Sequence, residues 1–353
     1  MIVAGGGTGG HLFPGLAVAE EMAARGAQVL FVGSAFGIEA TAIPPTRFRF
    51  EPLVVRGARG RGLRGLLEFA QQFPTAVRRA RHLVREFQPS LVLGLGGYGS
   101  VPVVVAASWL RVPSVLMEQN VHPGLANRCL AHLAQRVCTT FKESATFFPP
   151  GKAVQTGNPV RRLIAPSGAR REGFTVFVFG GSQGAHTINV AAVDAAGILR
   201  EKFQELRIVH QTGAADESWV RRRYEEMGVA AEVLPFVHDM GTAYGQADVV
   251  VCRAGATTLA ELASVGRPAI LVPYPHAADD HQRSNAEVLV KAGAAEMILD
   301  HDLTGCVLAE RLQALATDPQ RLRVMGTAVQ QFAMPDAAAH VADVCGRVAG
   351  TGR

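Results

Sequence analysis

A short apolar run that ends in a glycine cluster and is followed by a histidine occurs twice in this chain, as MIVAGGGTGGH from Met1 and as TVFVFGGSQGAH from Thr175. Consecutive apolar residues make a strand buried on both faces, the condition of a parallel sheet, and glycines at its end let the backbone turn tightly into a helix. Related strand ends follow each opening: QVLFVGS, SLVLGLGG, PSVLMEQN and RVCTTF after the first, LRIVHQTG, AEVLPF, ADVVVCRAG and PAILVPYP after the second. Helical spacing lies between several of them, as in Leu16, Ala19, Met22 and Ala23, or Val77, Leu83, Val84 and Phe87. Strands alternating with helices predict an α/β fold, and the restart after KAVQTGNPVRR and APSGARREG predicts two doubly wound domains.

At 353 residues the chain exceeds the usual size of a single core, in agreement with two domains. The expected division is 1–156 and 157–334, with a helical segment 335–353 that can pack back on the first domain. In open sheets of this kind ligands bind beyond the carboxyl ends of the strands, so the expected site is a cleft between the halves.

Hydrophobic residues at 48% against 18% charged exclude a disordered chain. Five scattered cysteines without a C-x-x-C pair point to reduced thiols in a cytosolic protein. No basic segment with an apolar core and cleavage site precedes the first strand, so no signal peptide is expected. Gln88 to Leu110 carries no charge over the length of a membrane span, but Gly94, Gly96, Gly97, Gly99 and Pro102 make it a strand, a turn and a buried helix start.

The net charge of +5 is unevenly placed: eight arginines and one acid, Glu68, lie between Arg56 and Arg85, among Leu63, Leu66, Leu67, Phe69, Phe73 and Val77. An amphipathic helix packed on its domain explains this pattern, and so does a surface that docks on anionic lipid. Nucleic acid is not expected, because no recognition module or aromatic platform accompanies the basic stretch.

Gly5, Gly7 and Gly10 match G-x-G-x-x-G, but a nicotinamide site also needs an acid at the end of the second strand. That position reads LFVGSAF, with no acid before Glu39, and no P-loop motif is present. What remains is the chemistry of the turn itself, in which backbone amides and a helix start favour an oxyanion. Gly5–Gly10, Gly96–Ser100 and Gly180–Gly184 are three such candidates, enough for two phosphorylated ligands. The alternative for each is a plain strand-to-helix turn.

The stretches GGGTGGHLFPGLAVAEEM, LGLGGYGSVP, MEQNVHPGLANR, GNPVR, GGSQGAHTIN, CRAGATTLAEL and DDHQRSNA together resemble the MurG family. The matches run in order from residue 4 to 286. The resemblance implies a GT-B fold, two Rossmann-like domains facing across a cleft, with the acceptor bound mainly by the first and the UDP-sugar mainly by the second. It implies inverting transfer of N-acetylglucosamine from UDP-N-acetylglucosamine to undecaprenyl-pyrophosphoryl-muramyl-pentapeptide, at the cytoplasmic face of the bacterial membrane. No cofactor is expected.

Glycosyl transfer needs a base for the acceptor hydroxyl and stabilisation of the departing UDP. With the resemblance, His11 after the first glycine turn is the leading base and Glu118 the second; the alternatives are an imidazole that fixes the turn and a carboxylate that organises the MEQN turn. Thr8, Gly9 and Gly10 are expected to present amides, and Tyr98 and Asn120 to hydrogen-bond on the acceptor side. On the donor side Ser182, expected to head a helix, is placed at a UDP phosphate, with Arg161 near the nucleotide and the backbone of Val237 beside the uracil. Ala256, Thr257, Thr258 and Leu259 form a helix start for phosphate. Glu261 has capping-box spacing from Thr258, and in the resemblance it holds the ribose hydroxyls instead. Gln282, with His281, would meet the sugar, although PYPHAADDHQ aligns in more than one register.

Asp300 and Asp302 have the D-x-D spacing of metal-dependent transferases, but a polar loop and helix cap explain them, so no metal is expected. Two rival readings remain: a UDP-N-acetylglucosamine 2-epimerase, and a non-catalytic membrane or nucleic-acid binding protein.

Overall fold

In the computed structural model, which describes residues 1–55, 62–160 and 173–350, the chain folds as two units, Met1–Arg161 with Met334–Arg353 and Arg162–Ala333. The first unit holds seven parallel strands: β1 (Ile2–Ala4), β2 (Leu30–Ser34), β3 (Arg49–Leu53), β4 (Val92–Gly94), β5 (Ser114–Glu118), β6 (Arg136–Thr139) and β7 (Ala153–Gln155). Their order is β3-β2-β1-β4-β5-β6-β7, so the chain reverses its winding between β1 and β4. Its helices are α1 (Gly9–Ala24), α2 (Glu39–Ala42), α3 (Gly62–Phe87), α4 (Val101–Trp109) and α5 (Leu125–Leu130).

Two apolar layers cover this sheet. On one side Ala76, Ala80, Leu83 and Val84 of α3, which recur at helical spacing, pack with Val103, Val104, Ala106 and Ala107 of α4. On the other, Leu12, Val18 and Ala19 of α1 pack with Val341, Val344, Cys345 and Val348 of the last helix of the chain. That helix therefore belongs to the first unit, and Arg25 ties it to α1 through ion pairs with Glu21 and Asp343.

The second unit holds β8 (Phe174–Phe179), β9 (Leu206–Gln211), β10 (Ala230–Leu234), β11 (Val249–Cys252), β12 (Ala269–Leu271) and β13 (Ala295–Met297), all parallel in the order β10-β9-β8-β11-β12-β13. Its reversal falls between β8 and β11. The intervening helices are α6 (His186–Arg200), α7 (Glu217–Met227), α8 (Met240–Gln246), α9 (Ala256–Val265), α10 (His281–Lys291), α11 (Gly305–Ala316) and α12 (Pro319–Gln330); α13 (Ala337–Gly350) is the helix returned to the first unit. Alternation along β8 serves both faces, with Val176 and Val178 in the layer under α6 and α11 and Phe177 and Phe179 stacked on each other and edge-on to Tyr244 of α8.

The uncharged segment Gln88 to Leu110 is β4, a glycine turn and the nine-residue α4. Among the described residues no helix is long and apolar enough to cross a membrane.

Candidate active site

In each unit the glycine turns fall at the reversal of strand order, where a doubly wound sheet leaves a crevice beyond its strand ends. In the first unit these are the turns after β1 and β4. They touch backbone to backbone: a methyl group at Gly5 would strike the carbonyl of Gly96, and one at Gly97 would crowd the carbonyl of Gly6. Several of these glycines are thus required by the packing of one turn on the other, a role the sequence did not distinguish from phosphate binding.

The first turn also encloses a carboxylate. Glu39 is buried, and its Oε2 accepts from the Gly7 amide at 2.8 Å while Oε1 accepts from the Ser34 amide at 2.8 Å. Side chains at Gly6, Gly33 or Gly37 would overlap it. One amide of the expected anion nest is therefore committed to an anion from the protein itself. A phosphate at Gly7 would meet this carboxylate, which turns a ligand toward the start of α1.

That start places the leading candidates. Thr8 is the N-cap of α1 by backbone geometry, its hydroxyl makes no capping bond, and it instead pairs with Nδ1 of His11 at 2.8 Å. The partly exposed His11 ring lies against Gly96, where a methyl group would stand 3.1 Å from Cδ2. Gly7, Thr8 and Gly10 are exposed.

Glu118 ends β5 and is buried among donors: the Asn120 amide at 3.0 Å and Asn120 Nδ2 at 3.3 Å reach Oε1, and the Gly124 amide at 3.2 Å and Asn127 Nδ2 at 3.0 Å reach Oε2. Desolvation pushes its carboxyl pKa up, and these hydrogen bonds oppose the shift. Both oxygens thus hold the MEQN turn together. Asn120 is bound to that carboxylate, and Tyr98 sets its ring edge-on to Phe69 of α3 at 5.5 Å. Asn127, which is not among the residues expected from sequence, links Glu118 to the carbonyl of Met117.

In the second unit the turn Gly180–Gly184 packs on the turn after β9: methyl groups at Gly184 or Gly213 would overlap the carbonyls of Thr212 and Gln183. Ser182 does not head a helix as expected; it sits within the turn, and α6 begins at His186 after the N-cap Ala185. Arg161 lies outside the described residues.

Helix α9 begins at Ala256 with Gly255 as N-cap, so Ala256, Thr257, Thr258 and Leu259 form its first turn and no side chain caps it. Thr258 is therefore inside the helix, and the capping-box reading of Thr258 and Glu261 is corrected. Glu261 is partly exposed, and its Oε2 accepts from the hydroxyl of Tyr244 at 2.9 Å. Gln282 lies in the first turn of α10, where its Oε1 accepts from the Tyr274 amide at 2.9 Å. His281 Nδ1 bonds the carbonyl of Ala278 at 2.7 Å, and Val237 is buried in the loop after β10.

Arg253, which follows β11, gathers the strand ends. It donates to the carbonyls of Val272 and Pro273, to Thr187 of α6 at 3.0 Å and to Asp300, and its guanidinium lies over the ring of Tyr274. Asp300 is thus an ion-pair partner, and the cap of α11 is Thr304, not an aspartate of the DHD loop. No group of three or more metal-ligand side chains occurs among the described residues.

Residues 1–139 match the glycosyltransferase family 28 N-terminal domain, and residues 175–341 match the glycosyltransferase family 28 C-terminal domain. With two parallel-sheet α/β units, this defines a glycosyltransferase of the GT-B class. A relative from Geobacter sulfurreducens, named UDP-N-acetylglucosamine–N-acetylmuramyl-(pentapeptide) pyrophosphoryl-undecaprenol N-acetylglucosamine transferase, is 47% identical over 97% of this chain and 97% of its own length. The crystal structure of Acinetobacter baumannii MurG superimposes with a TM-score of 0.81 at 32% identity, covering 98% of both chains. The chain belongs to the MurG family. A UDP-N-acetylglucosamine 2-epimerase from Neisseria meningitidis, TM-score 0.64 at 13% identity over 98% of this chain and 99% of its own, shares the fold alone.

Proposed function

We propose that this chain transfers N-acetylglucosamine from UDP-N-acetylglucosamine to the lipid-linked N-acetylmuramyl-pentapeptide, the step that completes the disaccharide unit of peptidoglycan. The observation that carries this reading is the match at 47% identity along 97% of the chain to a transferase of that name. The test is incubation with UDP-N-acetylglucosamine and a short-chain acceptor analogue, followed by product mass and anomeric configuration. An inverted disaccharide-lipid is expected; UDP release that needs no acceptor would contradict the reading.

In the reaction the acceptor hydroxyl attacks the anomeric carbon, its proton passes to a base, and the bond to the UDP oxygen breaks with its electron pair on UDP. His11 is the proposed base. Its Nδ1 faces Thr8, so when Nδ1 carries the proton and Thr8 accepts it, the basic lone pair stands on Nε2. Glu118 is assigned a supporting role, because both its oxygens already hold the MEQN turn. Thr8, Gly9 and Gly10 at the head of α1, with Tyr98 and Asn120, are proposed on the acceptor side.

On the donor side, Ser182 and the first turn of α9, with Ala256, Thr257, Thr258 and Leu259, are proposed at the diphosphate, which the positive helix end attracts. Glu261 is assigned the ribose diol, Gln282 the sugar, Val237 the uracil and Arg161 the nucleotide. Because Tyr274 holds Oε1 of Gln282, that side chain offers the sugar its amide hydrogens. Amides in place of a cation predict full activity in chelator; a loss restored by magnesium would sink that part.

The protein is proposed to work at the cytoplasmic face of the membrane, held by anionic lipid. On α3 Val77 is core, not a lipid contact, whereas Leu67, Arg78, Arg81 and Arg85 are exposed at spacings that place them on one stripe. Arg56, Arg59 and Arg61 lie outside the described residues. Charge reversal at Arg78, Arg81 and Arg85 is expected to weaken binding to phosphatidylglycerol vesicles; unchanged binding would remove this helix from the contact.

A further inference from the structure

We infer that Tyr244 is a positioning residue for Glu261, holding its carboxylate where it reads a vicinal diol, so that Tyr244 sets a preference for ribonucleotides over 2′-deoxyribonucleotides. The inference rests on the reading that Glu261 meets the donor ribose and goes beyond it by naming what orients that carboxylate.

Tyr244 is fully buried, and every part of it is held. Its ring stands edge-on to Phe177 and Phe179, with centroids 5.6 and 6.1 Å away and interplanar angles of 82° and 78°. Its carbonyl accepts from Nε of Arg267 at 2.8 Å, and the next carbonyl, of Gly245, accepts from Nη2 of the same arginine at 2.9 Å. The phenol thus reaches Glu261 from a fixed point, and donates to Oε2 at 2.9 Å.

A carboxylate has two oxygens and about four acceptor positions, of which the phenol takes one on Oε2. The bond from a fixed phenol narrows the rotamers open to the carboxylate, and a diol requires both oxygens in one plane at one place. Desolvation, then the neighbouring Glu261 charge, keeps the phenol protonated, so it acts as a donor throughout the working pH range.

The simpler alternative is that Tyr244 is a core aromatic whose hydroxyl only needs a partner. The two differ in what Tyr244→Phe does, because that change keeps the ring and its packing. Affinities of the full chain and of its Tyr244→Phe and Glu261→Ala variants for UDP and for 2′-deoxyuridine diphosphate would be measured by calorimetry. The ratio of the two affinities cancels any loss of folded protein.

The expected result is that Glu261→Ala abolishes the ribo preference and Tyr244→Phe reduces it by on the order of tenfold, with affinity for the deoxy ligand nearly unchanged. If Glu261→Ala abolishes the preference but Tyr244→Phe leaves it intact, or weakens both ligands equally, the inference is overturned and the ribose reading stands. If Glu261→Ala itself leaves the preference intact, the ribose reading falls and the role of Tyr244 falls with it.

Discussion

The carboxylate of Glu39 accepts the amide of Gly7 at 2.8 Å, so a buried acid from α2 shapes the glycine turn after β1. Glu39→Gln turns one acceptor oxygen into a donor facing a backbone amide. Leaving that amide unpaired is expected to cost about 1–3 kcal/mol of stability. Because the turn carries Thr8 and His11, kcat is expected to fall roughly tenfold or more, by the sensitivity of catalysis to small displacements, while KM for UDP-N-acetylglucosamine stays nearly constant. Steady-state kinetics with denaturant unfolding test both; an unchanged kcat would reduce Glu39 to a stability element.

Removal of the imidazole tests the base. His11→Ala is expected to lower kcat on the order of 10²- to 10⁴-fold with donor affinity preserved. Thr8→Val, which removes the hydroxyl beside Nδ1, is expected to give a smaller loss in kcat by freeing the ring tautomer. Transfer at the normal rate in His11→Ala would end its assignment.

Glu118→Gln separates support from chemistry. Four donors converge on that carboxylate, and an amide at the same place must oppose at least one of them with its own donor. A destabilisation of about 1–3 kcal/mol is expected, with residual transfer that keeps the shape of the wild-type pH–rate profile. Disappearance of the fall in rate at low pH, with full stability, would make Glu118 the base instead.

His210 predicts acid sensitivity of the second unit. It is fully buried between Tyr224 and Asn189, and desolvation lowers its pKa from 6.5 to about 3, with the Asp216 charge opposing. Below pH 6.5 the unfolded chain takes up a proton that the folded chain refuses. Its contribution is therefore present above 6.5 and is lost as pH falls toward 3, at about 1.4 kcal/mol per pH unit. Unfolding free energies at pH 7 and pH 5 are expected to differ less in His210→Gln than in the wild type; equal slopes would contradict the assignment.

Much of the architecture was written in local pattern. Unbroken apolar strands such as VLFVG and VVVC dictate a sheet buried on both faces, and helical spacing between them dictates parallel crossovers, because both follow from the periodicity of a single segment. The edge strand β3, with the sequence RFEPL, carries no such pattern: an edge position tolerates proline and polar side chains, which erase the apolar signal.

Site residues divide along the same line. The glycine turns, His11 and the start of α9 were visible because their chemistry is local to a few adjacent residues. Glu39, Tyr244, Arg253 and Asn127 were not, since each acts on a group well away from it in the chain: Glu39 on Gly7, Tyr244 on Glu261, Arg253 on Asp300, Asn127 on Glu118. Tertiary packing alone decided that one glycine amide is spent on a protein carboxylate, that Thr258 lies inside its helix, and that the last helix returns to the first unit. Sequence spacing encodes which face of a segment is apolar, whereas the partner of a polar atom depends on the whole path of the chain.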